Sequence, residues 1–276
     1  RFYTSVTRKV KIRIGCGAGF SGDRLDPSIT LVEHGRLDYL VLECLAERTI
    51  ALAQKRKLLD SSLGYDPLLE RRIETLLEPL KRNGVRLITN MGAANPLAAV
   101  QKVIDIAKRK NISIKVAAVT GDDVLDKIDP EEKSIETGQP LSASGPLVSA
   151  NAYLGVDGIL EALATGADII LTGRVADPSL FLAPMMHEFG WNASDYDLLG
   201  KGTILGHLME CAGQVTGGYY ADPGKKEVPD LANLGHPIIE AFADGTGTLS
   251  KVAGTGGVIN LDTAKEQLLY EVLNPH

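Results

Sequence analysis

The sequence predicts an α/β protein: a mostly parallel sheet flanked by helices, with an antiparallel hairpin extension near the C-terminus. Three observations predict it. Short runs that are apolar on both faces, such as Leu37 to Leu42, alternate with longer stretches of helical periodicity. The segments between successive runs are long enough for parallel crossovers. Near the end, Asp244-Gly245-Thr246-Gly247 separates two strand-like runs, a hairpin signal.

In order, Val10 to Ile14 alternates and then meets glycines, which reads as a first strand. Asp26-Pro27 supplies an N-cap and a first-turn proline for a short helix, Ser28 to His34, ended by Gly35. Leu37 to Leu42 is the second strand, and a helix follows from about Ala46 to Leu59. After Ser61-Ser62-Leu63-Gly64 comes a helix with Leu69, Ile73, Leu76, Leu77 and Leu80 on one stripe, kinked near its end by Pro79 and closed by Gly84. Val85 to Thr89 is the third strand, Pro96 opens a helix carrying Val100, Val103, Ile104 and Ala107, and Ile112 to Val119 is the fourth strand. Residues from about 121 to 146 are polar and read as an inserted loop or lid. The pattern resumes with Leu147 to Tyr153, a helix from Val156 to Thr165, a strand from Asp168 to Thr172 and a helix opened by Asp177-Pro178 that fades near Gly190. A helix from about Ser194 to Gln214 follows. Ile238 to Phe242 and Thr248 to Ala253 form the hairpin, and Thr263-Ala264-Lys265-Glu266 is a capping box for the last helix. The expected organisation is a core over 1–216 and a hairpin-plus-helix extension over 217–276 packed on it.

Composition excludes several classes. No apolar run approaches the ~20 residues of a membrane span. A net charge of −6 with no basic block argues against nucleic acid, because phosphate neutralisation supplies most of that affinity. Cys16, Cys44 and Cys211 are far apart, so neither a disulfide framework nor a structural zinc site is expected. The expected compartment is the cytoplasm. The alternative is the mitochondrial matrix, because Arg1 to Arg13 holds five basic residues and no acid, as the remnant of a presequence would. A frayed terminus is the plainer reading of that segment.

In an open parallel sheet, ligands bind beyond the carboxyl ends of the strands, beside helix N-termini. There the chain places Gly15, Gly17, Gly19, Gly22, Asp23 and Arg24 after strand one and Glu43 after strand two. Asn90 and Asn95 follow strand three, Asp122 and Asp123 strand four, and Arg174 and Asp177 the strand near residue 170. Asp23, Glu43, Asn90 and Asp177 are the candidate catalytic residues, because proton transfer needs carboxylates and an amide orients a carbonyl or water. Gly15, Gly17, Gly19, Gly22, Arg24, Asn95 and Arg174 are the candidate substrate-binding residues, through backbone N–H groups and guanidinium forks. Gly17, Gly19 and Gly22 also spell the glycine pattern of a dinucleotide loop. Their helix starts four or five residues too late, and Asp23 and Asp26 would face a pyrophosphate. His207, Glu210 and Cys211 share one helix face at i, i+3, i+4, where packing near an oligomer face is the favoured reading. A metal would need a third ligand from elsewhere.

Taken together, Ile14 to Arg24, Asp38 to Thr49, Asn90 to Pro96, Leu171 to Pro178, Gly206 to Gly218, Tyr220 to Gly224 and Gly254 to Tyr270 resemble the acyclic terpene utilisation AtuA family. The resemblance covers nearly the whole chain after the first dozen residues. The family is usually longer, so it implies a C-terminally shortened member, and it implies a route through coenzyme A thioesters but no particular reaction. The expected function is catabolic: lyase, hydratase or isomerase chemistry on an anionic carboxylate or acyl-CoA substrate. The cofactor is left unknown; a divalent metal on the same carboxylates is one option, and coenzyme A enters as part of the substrate. The expected partners are a small anionic metabolite and further copies of the chain or an assembly. Two alternatives stand beside this: a non-catalytic binding or scaffolding subunit, and a dinucleotide-dependent oxidoreductase.

Overall fold

A computed structural model describes residues 9–272. The segment read as a presequence remnant, apart from its last few residues, and the final Asn274-Pro275-His276 lie outside them. Seven strands form one sheet in the order β4-β5-β3-β2-β1-β6-β7. The strands are β1 (Lys11–Ala18), β2 (Tyr39–Leu42), β3 (Arg86–Thr89), β4 (Val116–Val119), β5 (Ile169–Thr172), β6 (Pro237–Phe242) and β7 (Gly247–Lys251). The first five are parallel, while β6 runs antiparallel to both β1 and β7. The helices are α1 (Asp26–His34), α2 (Glu47–Leu59), α3 (Leu69–Asn83), α4 (Pro96–Arg109), α5 (Asp157–Ala164), α6 (Ser179–Phe189), α7 (Tyr196–Met209) and α8 (Leu261–Glu271). This is the α/β class expected, mostly parallel with an antiparallel hairpin.

The two-residue period of the strands divides the core between the faces of the sheet. Tyr39, Val41, Ile88 and Ile170 pack on one face with Leu163, Phe181, Met185 and Met209 from α5, α6 and α7. Leu40, Leu42, Leu87 and Leu171 pack on the other with Leu31, Ile73, Leu76 and Val103 from α1, α3 and α4. Strands buried on both sides explain the unbroken apolar runs in the sequence.

Several boundaries move for physical reasons. The first strand does not stop at Ile14 but continues through Gly15 and Gly17 to Ala18, paired with β6 as far as Gly15 and with β2 to its end. Glycine is used there for packing: a Cβ on Gly17 would lie 2.6 Å from Ser28 Oγ and 2.8 Å from Leu42 Cδ2. The β1–β2 register slips between Cys16 and Ala18, a bulge that re-aims the strand end. Asp26 is the first residue of α1 rather than its cap. Leu147 to Tyr153 forms no strand, only an isolated bridge between Asn151 and Asp123. The expected Ser194–Gln214 helix ends at Met209 and restarts as a short 3-10 turn at Ala212–Gln214. The last helix is capped by Asn260, not Thr263. The Asn260 side chain accepts the Asp262 and Thr263 N–H groups while the Thr263 hydroxyl accepts the Asn260 N–H, so the capping box lies three residues earlier than expected. No helix among the described residues is long and apolar enough to cross a membrane.

Beyond β1 the chain touches the restart after α7. A Cβ on Gly19 would stand 2.5 Å from the Cys211 carbonyl carbon, which is backbone and cannot swing aside. Gly19→Ala is expected to lose about 1–3 kcal/mol and several degrees of melting temperature. Gly22→Ala is the control, since its methyl would meet only the exposed Phe20 ring at 3.3 Å; equal melting of both variants would show that the contact is not tight.

Candidate active site

The loops after β1 to β5 share one edge of the sheet because the strands are parallel. In the strand order, the loops after β2 and β3 separate that after β1 from that after β5, roughly 14 Å at the usual strand spacing. Glu43, Asn90, Arg174 and Asp177 come together along this edge.

Glu43 follows β2 and is 7% exposed. Its Oε1 accepts hydrogen bonds from the Asn90 side-chain amide at 2.7 Å and from the Leu45 N–H at 2.9 Å. Asn90, fully buried after β3, also accepts the Cys44 N–H at 2.7 Å, so it ties the two strand ends together. Burial, then the charges of Asp177 and more weakly Glu210, push the Glu43 carboxyl up to about 8, against the pull of its two donors. At neutral pH it is mostly a neutral acid.

Arg174 is 2% exposed, an unusual place for a guanidinium. Its Nη1 donates to the Leu45 carbonyl at 2.8 Å and lies 3.6 Å from Asp177 Oδ1. The guanidinium sits 4.6 Å from the Tyr153 ring centroid, and Tyr153 donates its hydroxyl hydrogen to Glu47. Nη2 is buried without a hydrogen-bond partner, with Glu47 3.9 Å away. Asp122, after β4, holds the loop from below by accepting the Arg174 N–H at 2.9 Å and the Asn151 amide at 2.9 Å. Gly173 permits this: a Cβ there would stand 2.5 Å from the Asp122 carboxylate. Asp177 is partly exposed. Burial is the largest influence on it; Arg174 opposes the rise, Glu271 and Glu47 add to it, and its carboxyl reaches about 6.

The other expected site residues are held by structural contacts. Gly15 lies inside β1 against the Leu37 side chain, Gly17 in the bulge, and Gly19 against Cys211. Gly22 lies in the exposed turn before α1. Asp23 folds back on its own loop, accepting the Gly19 and Arg24 N–H groups. Arg24 faces outward, paired with Asp26 and donating to the Ala232 carbonyl at 3.0 Å. Asn95 caps α4 and donates to the Ser61 and Leu63 carbonyls. Cys16, Cys44 and Cys211 are free thiols.

Sequence reasoning missed the support of Arg174 by Glu47, Tyr153 and Asp122. Asp122 carried the available signal, a carboxylate at a strand end; Tyr153 carried none. A cavity of about 370 Å³ adjoins the site beside α2, lined by Leu45, Leu52, Ala53, Leu59, Pro67 and Ala93 together with the charged Lys55, Arg56 and Asp66. Leu45 belongs to both, lining the cavity and offering its carbonyl to Arg174.

No curated protein and no solved structure matches the chain. The family model described as acyclic terpene utilisation family protein AtuA matches residues 12–276, from the second residue of β1 onward. The motifs at the strand ends and the extent of that match agree: the chain belongs to the acyclic terpene utilisation AtuA family.

Proposed function

We propose that the chain is an enzyme of carboxylate or acyl-thioester catabolism that adds, removes or relocates a proton and a hydroxyl group next to an activated carbonyl. Membership of a family described by terpene utilisation suggests a catabolic role in general. The observation that carries the finer reading is the pair of carboxyls whose surroundings push them apart, Glu43 up to about 8 and Asp177 to about 6, beside a buried guanidinium with a spare donor. At pH 7 the first holds a proton and the second has released one, the division of labour an acid–base pair needs.

In the hydration direction, Asp177 takes a proton from water as the water oxygen adds to the β-carbon of an α,β-unsaturated acyl group. Glu43 then gives its proton to the α-carbon, and exchange with solvent resets both carboxyls. Arg174 Nη2 receives the charge that grows on the carbonyl oxygen in between. Dehydration is the reverse. The apolar cavity beside Leu45 takes the hydrocarbon chain, and Lys55 and Arg56 meet an anionic end. The protein would act on a small anionic metabolite in the cytoplasm or the mitochondrial matrix, as a homo-oligomer or within an assembly.

The test is to incubate the purified protein in heavy water with branched unsaturated and 3-hydroxy acyl-CoA thioesters and follow the products by mass spectrometry. Wild type is expected to add water and place deuterium at the α-carbon. Absence of both, with a stoichiometric protein partner in the native mass spectrum, replaces the enzyme by a binding subunit. Tightly held nicotinamide or flavin absorbance replaces it by an oxidoreductase.

A further inference from the structure

Two helices cross near the same edge, and their ends bring together three side chains that the acid–base chemistry does not use. His207 lies in the last turn of α7, Glu210 caps that helix, and Glu271 is the last residue of α8. One ligand atom from each lies within 4.8 Å of the others. His207 Nδ1 is 3.0 Å from Glu210 Oε1, and Cys211 Sγ is 2.9 Å from Glu271 Oε1. The arrangement is braced by Gln267, one turn before Glu271, whose amide donates to the His207 carbonyl at 3.1 Å and to Glu271 Oε1 at 3.2 Å.

The cluster is rich in acceptors and short of positive charge. Glu210 is 3% exposed, yet its Oε2 has no hydrogen-bond donor among the described residues. Gln267 is 1% exposed, and its Oε1 is without a donor as well. Asp177 adds a further negative charge nearby, felt by Glu210 and exerted on by Glu271. No lysine or arginine side chain pairs with Glu210 or Glu271 among the described residues. A buried oxygen left without a donor costs about 1–3 kcal/mol, and either a proton held between Glu210 and Glu271 or a bound cation removes that cost.

We infer that His207, Glu210 and Glu271 form a binding site for a divalent transition-metal ion of the zinc or manganese class. One imidazole with two carboxylates is a donor set for such ions, whereas magnesium favours oxygen ligands alone and keeps its waters. Metal bonds of about 2.0–2.2 Å set ligand atoms roughly 3–3.5 Å apart, so small side-chain rotations close the site. Three protein ligands leave a coordination position open to water or a substrate oxygen. The Gln267 amide on Glu271 is the kind of outer hydrogen bond that orients a ligating carboxylate.

The site is tested by binding alone, without any measurement of activity. After chelation and dialysis, the full chain is titrated calorimetrically with zinc chloride, manganese chloride and magnesium chloride. The expected result is one Zn²⁺ or Mn²⁺ per chain, at least tenfold weaker binding in Glu210→Gln and Glu271→Gln, and much weaker binding of Mg²⁺. His207→Ala is a further variant should either carboxamide variant misfold, and it is expected to show the same loss with an unchanged circular dichroism spectrum. Glu43→Gln is expected to bind the ion like wild type, which separates failure of the metal site from failure of the proposed function. No stoichiometric ion in wild type, or equal affinity in folded variants, overturns the inference in favour of a proton shared between Glu210 and Glu271.

Discussion

Glu43→Gln is expected to reduce turnover by about 10²–10⁴-fold while raising stability in alkaline solution. Both effects follow from one proton. The side chains are nearly the same shape, and a glutamine oxygen still accepts the Asn90 and Leu45 donors, so the fold has no reason to change. The glutamine cannot release a proton to substrate, which removes the general acid. In the unfolded chain a glutamate titrates near 4.5, but in the folded protein Glu43 reaches about 8. Between those values the native state holds a proton that the unfolded chain has lost. The stability that Glu43 contributes is therefore complete below about pH 4.5 and is lost as the pH rises through about 8. The groups that set this are the Asp177 and Glu210 charges on one side and the Asn90 and Leu45 donors on the other. Thermal melts from pH 5 to 9 should show wild type falling faster than Glu43→Gln, with a gap on the order of a few kcal/mol at the alkaline end. Parallel melting curves would place the Glu43 carboxyl in its ordinary range and remove it as the acid.

Arg174 separates binding from folding in a different way. Arg174→Ala deletes a charged hydrogen bond to the Leu45 carbonyl, the stacking on Tyr153 and the ion pair with Asp177. A stability loss of about 1.5–3 kcal/mol is expected from the hydrogen bond alone, so this variant by itself does not report on catalysis. Arg174→Lys keeps the charge and most of the stem but loses the fork whose Nη2 has no hydrogen-bond partner. It is expected to melt within a few degrees of wild type and to lose about 10²–10³-fold in kcat, the effect of removing one donor to a developing oxyanion. Full activity in Arg174→Lys would make Arg174 a structural brace for the loops after β2 and β5. A rise in KM with kcat unchanged would make it a holder of the substrate in its ground state.

Much of the fold was legible in the chain because its signals are local. Strands buried on both faces read as apolar runs, α3 carries its stripe at helical spacing, and Pro96 and Gly84 mark helix ends. The hairpin of β6 and β7 was legible from Asp244-Gly245-Thr246-Gly247. The expectations that moved were those in which packing overrode a local pattern. Gly15 and Gly17 look like a loop in sequence but continue β1, because β6 pairs as far as Gly15, β2 pairs on to Ala18 around the bulge at Gly17, and neighbouring side chains fill the space a Cβ would need.

The chain by itself determined the α/β class and placed Glu43, Asn90, Arg174 and Asp177 at strand ends, since parallel strands must deliver their carboxyl ends to one edge. Only the tertiary structure decided which of these meet. It put Asn90 on Glu43 across two strands, buried Arg174 beneath Tyr153, turned Arg24 outward to Asp26, and carried Glu271 across 60 residues to Cys211 and so to the neighbouring His207 and Glu210. The physical reason is that proximity across a sheet edge depends on strand order and helix docking, which are summed over the whole core. The period of a strand or helix records only which way each side chain faces.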